Sequence, residues 1–294
     1  MQTLKQIARF TLPASYFNLG LLVHSHGWVR LSPFTWDDKR GILGRHENLN
    51  GKLVHLSVKQ SARGASVSCR SSRVLTAAER KVLRQRSSYM LGLEVDLGEF
   101  IHRARSLDQR IYRFARDGGA RMLRGSTLFE DVVKTLFTTN ASWAFTRQMC
   151  QRLVAECTGR INSNGHEFFP PYQMVQEMRM SDLMNKCKLG YRAQYLRNVV
   201  KAFHENGELE KGTPREIVDK LSQVKGLGPY CINHIAILLG EYAQIPVDSE
   251  VRSYCKEIGL SDKEETILEH YSKWHPFEFL AFRMERRIRR LEDG

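Results

Sequence analysis

The stretch from Leu221 to Val251 reads LSQVKGLGPYCINHIAILLGEYAQIPVDSEV, and the architecture of the second half of the chain follows from it. It predicts that one helix ends, that residues 224–229 form a hairpin, and that an apolar helix begins at Pro229. Gly226 and Gly228 let the hairpin backbone approach a ligand closely, and the free amides of the next helix suit a phosphate. A tight corner between two helices would also need glycines, so the hairpin alone leaves both interpretations open.

A second element, Ile245-Pro246-Val247-Asp248, follows about twenty residues after the hairpin. It places an acid at the head of another helix, where a lone Asp usually serves as the N-cap. The combination of hairpin, apolar helix, Pro-Val and Asp resembles the signature of the helix-hairpin-helix superfamily of base-excision DNA glycosylases. The resemblance implies that Asp248 is the central catalytic carboxylate, with capping as a second or alternative role.

The resemblance extends over roughly residues 88–285 and is greatest to the 8-oxoguanine DNA glycosylase branch of that superfamily. It implies a helical domain that extrudes a damaged nucleotide from duplex DNA and breaks its N-glycosidic bond. The segments that carry it are LGLEVDL at 91–97, GARMLR at 119–124, LFE at 128–130, TTN at 138–140, LGYRAQY at 189–195 and the run 274–282.

The hydrophobic pattern divides the chain into two parts. Short β-branched or aromatic runs, separated by Gly- and Asn-containing breaks, predict strands in the first hundred residues, and a 3.6-residue period begins at Leu97. We therefore expect an α+β fold, with a small antiparallel β-rich N-terminal domain at 1–100 and an all-α helix-hairpin-helix domain at 101–294. The predicted strands are Phe10–Leu12, Leu21–His24, Trp28–Leu31, Leu53–Val58 and Ser66–Cys69.

Two helix starts carry explicit capping chemistry. Thr213 with Glu216, and Ser261 with Glu264, have the spacing of a capping box, in which each side chain bonds the backbone amide of the other residue. Pro214 at the first helical position strengthens the former.

Composition indicates a basic protein with a polyanionic partner. The 294 residues include 45 Lys and Arg against 32 Asp and Glu, for a net charge of +13, and the excess is spread along the chain. A basic face gains affinity by releasing counterions from phosphates, so double-stranded DNA with a damaged base is the expected partner. RNA, or no polyanion at all, remains open from charge alone.

Other features bear on location and cofactors. No apolar run is long enough to span a bilayer and no signal peptide is recognised, so we expect an intracellular protein, in the nucleus of a eukaryote or the cytoplasm and nucleoid of a bacterium. The resemblance to this class of enzyme implies a monomer. The six cysteines are scattered without a C-x-x-C pair, as in a reducing compartment. Only Cys255 follows Asp248, so the iron–sulfur cluster of many relatives is not expected, nor is a nucleotide cofactor.

The sequence departs from the 8-oxoguanine branch at Tyr230. That branch has a lysine there, whose amine attacks the sugar and forms a Schiff base. A phenol cannot form an imine, so the departure implies a monofunctional, hydrolytic enzyme. Two alternatives stay open: a bifunctional glycosylase/lyase in which Lys225 or another lysine is the nucleophile, and a DNA damage-binding protein without catalysis.

DNA-binding roles carry over to matching positions. The resemblance implies that Asn140 fills the gap left by the extruded base, that Tyr191 wedges between bases, and that Arg192 contacts the orphaned partner base, although the last two could belong to a plain loop. Phosphate contacts are implied for the hairpin residues Lys225, Gly226, Leu227 and Gly228. A monovalent cation, K⁺ or Na⁺, is implied on the backbone carbonyls of Ser222, Val224 and Leu227.

The base pocket is implied at three positions. Phe282 matches an aromatic residue that stacks on the extruded base, Glu278 replaces a glutamine that reads the base edge, and His234 replaces a cysteine at the pocket wall. A carboxylate beside aromatic rings suits a cationic alkylated purine, although Glu278 could equally accept hydrogen bonds from guanine N–H groups. Glu278 and His234 could also be structural. Phe145 stands where the branch has an arginine that reads the opposite cytosine, which weakens the case for 8-oxoguanine paired with cytosine.

Overall fold

The N-terminal part of the chain is a five-stranded antiparallel sheet. The computed structural model describes residues 5–71, 73–159, 167–207 and 209–292. The strands pair in the spatial order β1-β5-β4-β3-β2, and every neighbouring pair is antiparallel. Their bounds are β1 Lys5–Pro13, β2 Thr35–Asp37, β3 Ile42–Leu49, β4 Lys52–Ser61 and β5 Gly64–Ser71.

One face of the sheet is apolar because side chains alternate along each strand. In β4, Val54, Leu56 and Val58 are buried while their neighbours are more exposed, which is the period of two expected of a strand with one covered face. The β3–β4 connection is the two-residue turn Asn50-Gly51, in which both residues have positive φ, 52° and 81°. Asn-Gly is favoured in such hairpins because both residues tolerate left-handed backbone.

Two runs predicted as strands are helical instead. Residues 19–23 form the short helix α1, which begins because the Asn18 side chain accepts a hydrogen bond from the Leu21 amide at 3.0 Å. Trp28–Arg30 form one turn of 3₁₀ helix. Their apolar residues are buried, but burial of a short apolar run does not distinguish strand from helix. The strand β3 was not among the predicted strands.

The remainder of the described chain is helical, and the predicted α+β class is confirmed. Among the described residues, no helix has both the length and the apolar character needed to cross a bilayer. The helices are α1 Leu19–Val23, α2 Ala77–Met90, α3 Gly98–Leu107, α4 Gln109–Phe114, α5 Leu128–Thr138, α6 Trp143–Gly159, α7 Tyr172–Gln176, α8 Met180–Asn185, α9 Arg192–Glu205, α10 Pro214–Ser222, α11 Pro229–Leu239, α12 Ser249–Glu257, α13 Glu264–Ser272 and α14 Glu278–Glu292.

One of the two predicted capping boxes forms. At α10, Thr213 and Glu216 exchange both hydrogen bonds, and Pro214 occupies the first turn. The prediction at Ser261 is wrong, because α13 begins only at Glu264 and its N-cap is Lys263. The Ser261 hydroxyl accepts from the Lys263 amide at 3.3 Å, so it stabilises the turn before the helix.

A buried charged cluster, here called the junction network, joins β3 to α5. It consists of Arg45, Glu47, Ser126, Glu130 and Lys134. The Glu130 carboxylate accepts from Arg45 Nη2 at 2.8 Å and from Lys134 Nζ at 2.6 Å, and Arg45 Nε lies 2.6 Å from Glu47 Oε1. Removing one partner from a buried set of charges leaves the others uncompensated, so this network makes the contact between sheet and helices specific.

The charge of Glu130 is stabilised within this network. Burial by itself would raise the pKa of Glu130, but the cations of Arg45 and Lys134 outweigh it and lower that pKa to about 2. Glu130 and Glu47 in turn raise the pKa of Arg45. Glu130 and Arg45 are therefore both ionised at neutral pH.

Candidate active site

The hairpin borders an open groove of about 1080 Å³. The groove is formed where four segments meet: the end of α5, the start of α9, the hairpin between α10 and α11, and the start of α12. Its walls are Thr138, Thr139, Asn140, Ala141, Tyr191, Tyr195, the continuous run 222–231, and the run 248–250. Every DNA-binding residue expected from the sequence lies on this wall except Arg192.

Positions 226 and 228 of the hairpin are occupied by glycine for different physical reasons. Gly226 has a φ of +108°, and a Cβ there would lie 2.4 Å from Cγ of Tyr195, so both backbone and packing require glycine. Gly228 has an ordinary φ of −75°, and a Cβ on it would meet nothing within 4 Å. The absent side chain at Gly228 therefore leaves open space beside the start of α11.

The N-terminus of α11 faces this space without a capping side chain from any described residue. Its first amides, after Pro229, are oriented along a helix dipole whose positive end lies here, which is a common arrangement for binding an anion. Lys225 is exposed on the hairpin, and its backbone carbonyl accepts from Asn198 Nδ2 at 2.8 Å. The hairpin is thus held from behind by α9 while the amides of Gly226 and Gly228 and the Lys225 ammonium remain available to a phosphate.

Asp248 is the N-cap of α12, and its Oδ1 accepts from the Val251 amide at 2.9 Å. No described residue bonds its other oxygen, Oδ2. The side chain is half-buried and lines two cavities, the groove and a deeper one. The capping bond fixes the carboxylate in place, and Oδ2 is left for chemistry, so the two roles considered for this residue are compatible.

The deeper cavity, here called the pocket, has a volume of about 480 Å³ and opens into the groove. Five residues line both cavities: Thr138, Ala141, Tyr230, Asp248 and Glu250. A group that passes from the groove into the pocket must therefore pass Asp248 and Tyr230.

Tyr230 stands at this boundary with 43% of its surface exposed. Its ring is stacked on His234 at a centroid distance of 6.3 Å and an interplanar angle of 14°. Burial raises the pKa of the Tyr230 phenol, and the charge of Asp248 adds to that rise. The phenol is therefore protonated at neutral pH and acts as a hydrogen-bond donor, not as a nucleophile.

Of the three residues expected in the pocket, His234 and Phe282 line it. Glu278 is not among the lining residues, and its Oε1 lies 2.9 Å from Nδ1 of His275. The other carboxylate oxygen of Glu278 is buried and without a partner among the described residues.

Sequence analysis missed most of the pocket wall. His26 and Trp28 come from the segment after α1, more than two hundred residues away in sequence from His234, and no local pattern indicates that proximity. Four arginines come from α14: Arg283, Arg286, Arg287 and Arg290. Their spacing of three, four and seven residues places them on one face of a helix, a signal that was present in the sequence.

The loop residues expected to contact the bases have distinct positions. Asn140 is exposed with a φ of 46°, and Tyr191 is 51% exposed with its ring edge against Tyr195. Arg192 is buried, and its Nη2 donates to the carbonyls of Thr139 and Asn140. Its guanidinium also lies over the rings of Tyr191, at 4.6 Å, and Phe145, at 5.9 Å. In this structure Arg192 supports the loop that presents Asn140 and Tyr191 to the groove.

The remaining predicted positions concern metals. Ser222, Val224 and Leu227 all border the groove, and the Val224 carbonyl already accepts from the Leu227 amide at 3.0 Å. The six cysteines are free and buried. Within the described ranges, no three His, Cys, Asp or Glu side chains converge as metal ligands.

Solved structures of two DNA glycosylases have this architecture. The 3-methyladenine DNA glycosylase from Archaeoglobus fulgidus superposes with a TM-score of 0.70 at 18% identity, over 96% of this chain and 99% of that one. The 8-oxoguanine glycosylase/lyase of Clostridium acetobutylicum gives 0.65 in its apo form, at 17% identity over 96% of each chain.

The same Clostridium enzyme bound to double-stranded DNA with cytosine opposite 8-oxoguanine gives a TM-score of 0.62, at 17% identity over 97% of each chain. No protein-family model matches the sequence, and no curated protein matches it. At such low identity the likeness concerns the course of the backbone, over nearly the full length of both chains. This chain has the fold of the DNA glycosylases.

Proposed function

We propose that this protein is a base-excision DNA glycosylase that hydrolyses the N-glycosidic bond of a damaged base, most suitably a purine, without a lyase step. The observation that carries the proposal is the place of Asp248, at the opening between a groove with a phosphate-binding hairpin and an aromatic-lined pocket. The neighbouring folds support it, because both kinds of neighbour are DNA glycosylases.

In this mechanism the duplex lies along the groove and the damaged nucleotide turns out into the pocket. The amides at Gly226 and Gly228 and the ammonium of Lys225 hold the backbone phosphates, and Asn140 and Tyr191 enter the duplex where the nucleotide left it. The partner is double-stranded DNA, in keeping with the net charge of +13.

The chemical step is a displacement by water at C1′ of the sugar. As the bond from C1′ to the base nitrogen breaks, positive charge develops on the sugar, and the carboxylate of Asp248 stabilises it. The bond that forms joins the water oxygen to C1′, the water loses a proton, and the base leaves with the bonding electron pair and takes up a proton. Tyr230 offers no amine, so no covalent imine is formed.

A monovalent cation would fit beside the hairpin. Neutral carbonyl oxygens at the end of a helix are suitable ligands for Na⁺ or K⁺, and Ser222, Val224 and Leu227, whose carbonyls would hold the ion, all border the groove. A bound cation would add positive charge where the DNA backbone approaches. None of the catalytic groups depends on it.

The competing lyase mechanism has one observation in its favour, which is that Lys225 lines the same groove as Asp248. Lys225 does not line the pocket, however, and the sugar of an extruded nucleotide would lie at the pocket opening. Borohydride decides between the two mechanisms, because it reduces an enzyme–DNA imine to a stable adduct. We expect no adduct, and an adduct that disappears in Lys225→Ala would establish the lyase.

The proposal is tested with duplexes that each carry one defined damaged base, resolved before and after alkaline cleavage of abasic sites. We expect breaks only after alkali. Asp248→Asn should lower the rate of base release by at least about 10²-fold, because the amide carries no charge to stabilise the sugar cation. DNA binding should be retained.

Asp108→Asn is the matched control. Asp108 is also an N-cap acid, bonded to the amides of Arg110 and Ile111, and it lies outside both cavities. Asparagine caps a helix about as well as aspartate, so both variants should fold. Equal loss of activity in the two variants, or full activity in Asp248→Asn, would remove Asp248 from the mechanism. Tight binding without base release from any duplex would instead indicate a damage-binding protein.

A further inference from the structure

The pocket wall is positively charged. Four arginines of α14 line it against two carboxylates, Asp248 and Glu250. Glu250 is already engaged, because both of its oxygens lie 3.1 Å from the guanidinium of Arg286. The three remaining arginines therefore outnumber the one remaining carboxylate of the wall, that of Asp248.

Two of these arginines have only neutral partners. Arg283 is buried, and its Nη atoms donate to the carbonyls of Ala120, Ser25 and Arg121. Arg287 donates to the carbonyls of Gly119 and Leu21, both at 2.9 Å. Burial and the charge of Arg287 lower the pKa of Arg283 to about 9, and burial lowers that of Arg287 to about 10. Both are still cations at neutral pH.

The aromatic ring that the segment after α1 contributes to the wall is not free for a cationic ligand. Trp28 already has a cation at its ring, since Lys134 Nζ lies 5.5 Å from the ring centroid. Glu278, the carboxylate that would have attracted a cationic base, faces His275 and is not part of the wall. A base with a fixed positive charge would enter a space that is already cationic and poorly screened.

Two neutral imidazoles complete the wall. Burial lowers the pKa of His234 to about 4, and burial together with His234 and Arg283 lowers that of His26 well below its usual range. In both rings Nε2 is buried and has no partner among the described residues. An unsatisfied buried polar atom is unfavourable, so a ligand that supplies its partner gains affinity.

The hydrogen bonds around His26 assign its proton. The Ser25 hydroxyl oxygen accepts from the Leu123 amide at 3.0 Å, and the one acceptor that the described residues offer to its O–H is His26 Nδ1, at 2.8 Å, so the hydroxyl donates there. A neutral imidazole that accepts at Nδ1 carries its proton on Nε2. His26 is thus a donor at the pocket wall, and its complement on a base is a carbonyl oxygen.

From these observations we infer that the pocket selects an uncharged base that presents a carbonyl oxygen to His26 Nε2–H, and rejects cationic alkylated purines. The inference rests on the proposed function and specifies its substrate class. Oxidised and deaminated purines both have this chemistry. His26 is a specificity-determining residue on a segment remote in sequence from the catalytic Asp248.

The test measures binding and base release separately, on four duplexes that differ in one base. Hypoxanthine and 8-oxoguanine are uncharged and have a carbonyl, 1,N⁶-ethenoadenine is uncharged without one, and 7-methylguanine, on a 2′-fluorinated sugar, is cationic with one. We expect the full-length Asp248→Asn protein to bind the two uncharged carbonyl bases at least about tenfold more tightly than the other two.

Substitutions at His26 and Arg290 test whether these residues produce the preference for uncharged carbonyl bases. His26→Leu should reduce the preference for carbonyl bases over ethenoadenine by roughly three- to tenfold, and His26→Gln, which keeps a donor, should retain part of it. Arg290→Glu, at an exposed position of the wall, should shift the ratio toward 7-methylguanine by about tenfold. Arg105→Glu makes the same change on α3, outside both cavities, and should leave the ratio unchanged.

The outcomes separate this inference from the proposed function. Binding of 7-methylguanine as tight as that of hypoxanthine would overturn the exclusion of cations, and equal binding of ethenoadenine would overturn the role of the carbonyl. In either case, base release by the unmodified protein would leave the glycosylase proposal standing. Failure to release any of the three bases carried on an ordinary deoxyribose would count against the glycosylase, because the 2′-fluorine blocks release of 7-methylguanine, while the order of binding would still decide the selectivity of the pocket.

Discussion

The junction network and the pocket are neighbours, with the indole of Trp28 between them. Lys134 of the network lies over one part of that ring, and the ring also lines the pocket. Both regions bury charged and polar groups, but Glu130 in the network compensates two cations, whereas His26 and His234 in the pocket each leave a ring nitrogen without a partner among the described residues.

The difference distinguishes a structural site from a binding site. Buried polar atoms in folded proteins are nearly always satisfied, because each unmade hydrogen bond costs free energy. In the network every charged group lies against an opposite charge, including Arg45 Nε against Glu47 Oε1 at 2.6 Å, and these pairs contribute to the specificity of the fold. The pocket departs from the rule, and the departure is expected where the missing partner is a ligand. Substitutions in the network should therefore mainly lower stability, whereas substitutions in the pocket should mainly lower activity.

The largest effect is expected in the network. Glu130→Leu removes the anion that compensates Arg45 and Lys134, so it should lower the free energy of unfolding by about 3–5 kcal/mol. Denaturation by urea measures this. Glu99→Leu is the control, because Glu99 pairs with Arg103 at the surface, where an ion pair contributes about 0–1 kcal/mol. A loss below about 1 kcal/mol in Glu130→Leu would show that the network is not structural.

The second largest effect is expected from acid, which should lower the free energy of unfolding through the same network. The pKa of Glu130 in the folded protein is about 2, below its ordinary value, so its contribution to stability is fully present above about pH 4.5. That contribution is lost as the pH falls toward 2, and it amounts to about 3 kcal/mol over the window. Unfolding measured at a series of pH values should show this fall, and Glu130→Gln should flatten it. An equally steep fall in the variant would assign the acid sensitivity to other carboxylates.

The smallest effect on stability is expected in the pocket. His234→Leu replaces an imidazole with an unsatisfied nitrogen by an apolar side chain of similar size, so the free energy of unfolding should stay within about 1 kcal/mol of the unmodified protein. Base release should fall by about tenfold, since the stacking partner of Tyr230 and a pocket donor or acceptor are lost together. A variant that unfolds easily yet keeps its activity would reverse the distinction drawn between the regions.

Local patterns were sufficient to predict the elements whose chemistry is local. The hairpin, the cap at Thr213 and the acid at the head of α12 each depend on residues within a few positions of one another, and the structure has them at the expected places. The Ser261 cap failed because a capping box needs the helix to begin at the next residue, which spacing alone does not ensure.

Tertiary proximity could not be predicted in the same way. His26 and Trp28 follow a run that was predicted as a strand and is a helix, so even their local setting was misassigned. Their place beside His234 depends on how the segment after α1 packs against α11 and α14. The paired charges of Arg45 and Glu130, 85 residues apart, are equally invisible to a sequence pattern.

The contacts of Arg283 and Arg287 determine how much of the chain must be synthesised before the pocket can form. Arg283 bonds the carbonyl of Ser25 and Arg287 that of Leu21, so the two ends of the chain meet at the pocket. The groove needs only residues between 138 and 250. A nascent chain that has not yet released α14 from the ribosome therefore has no complete pocket, although it already contains every residue that lines the groove.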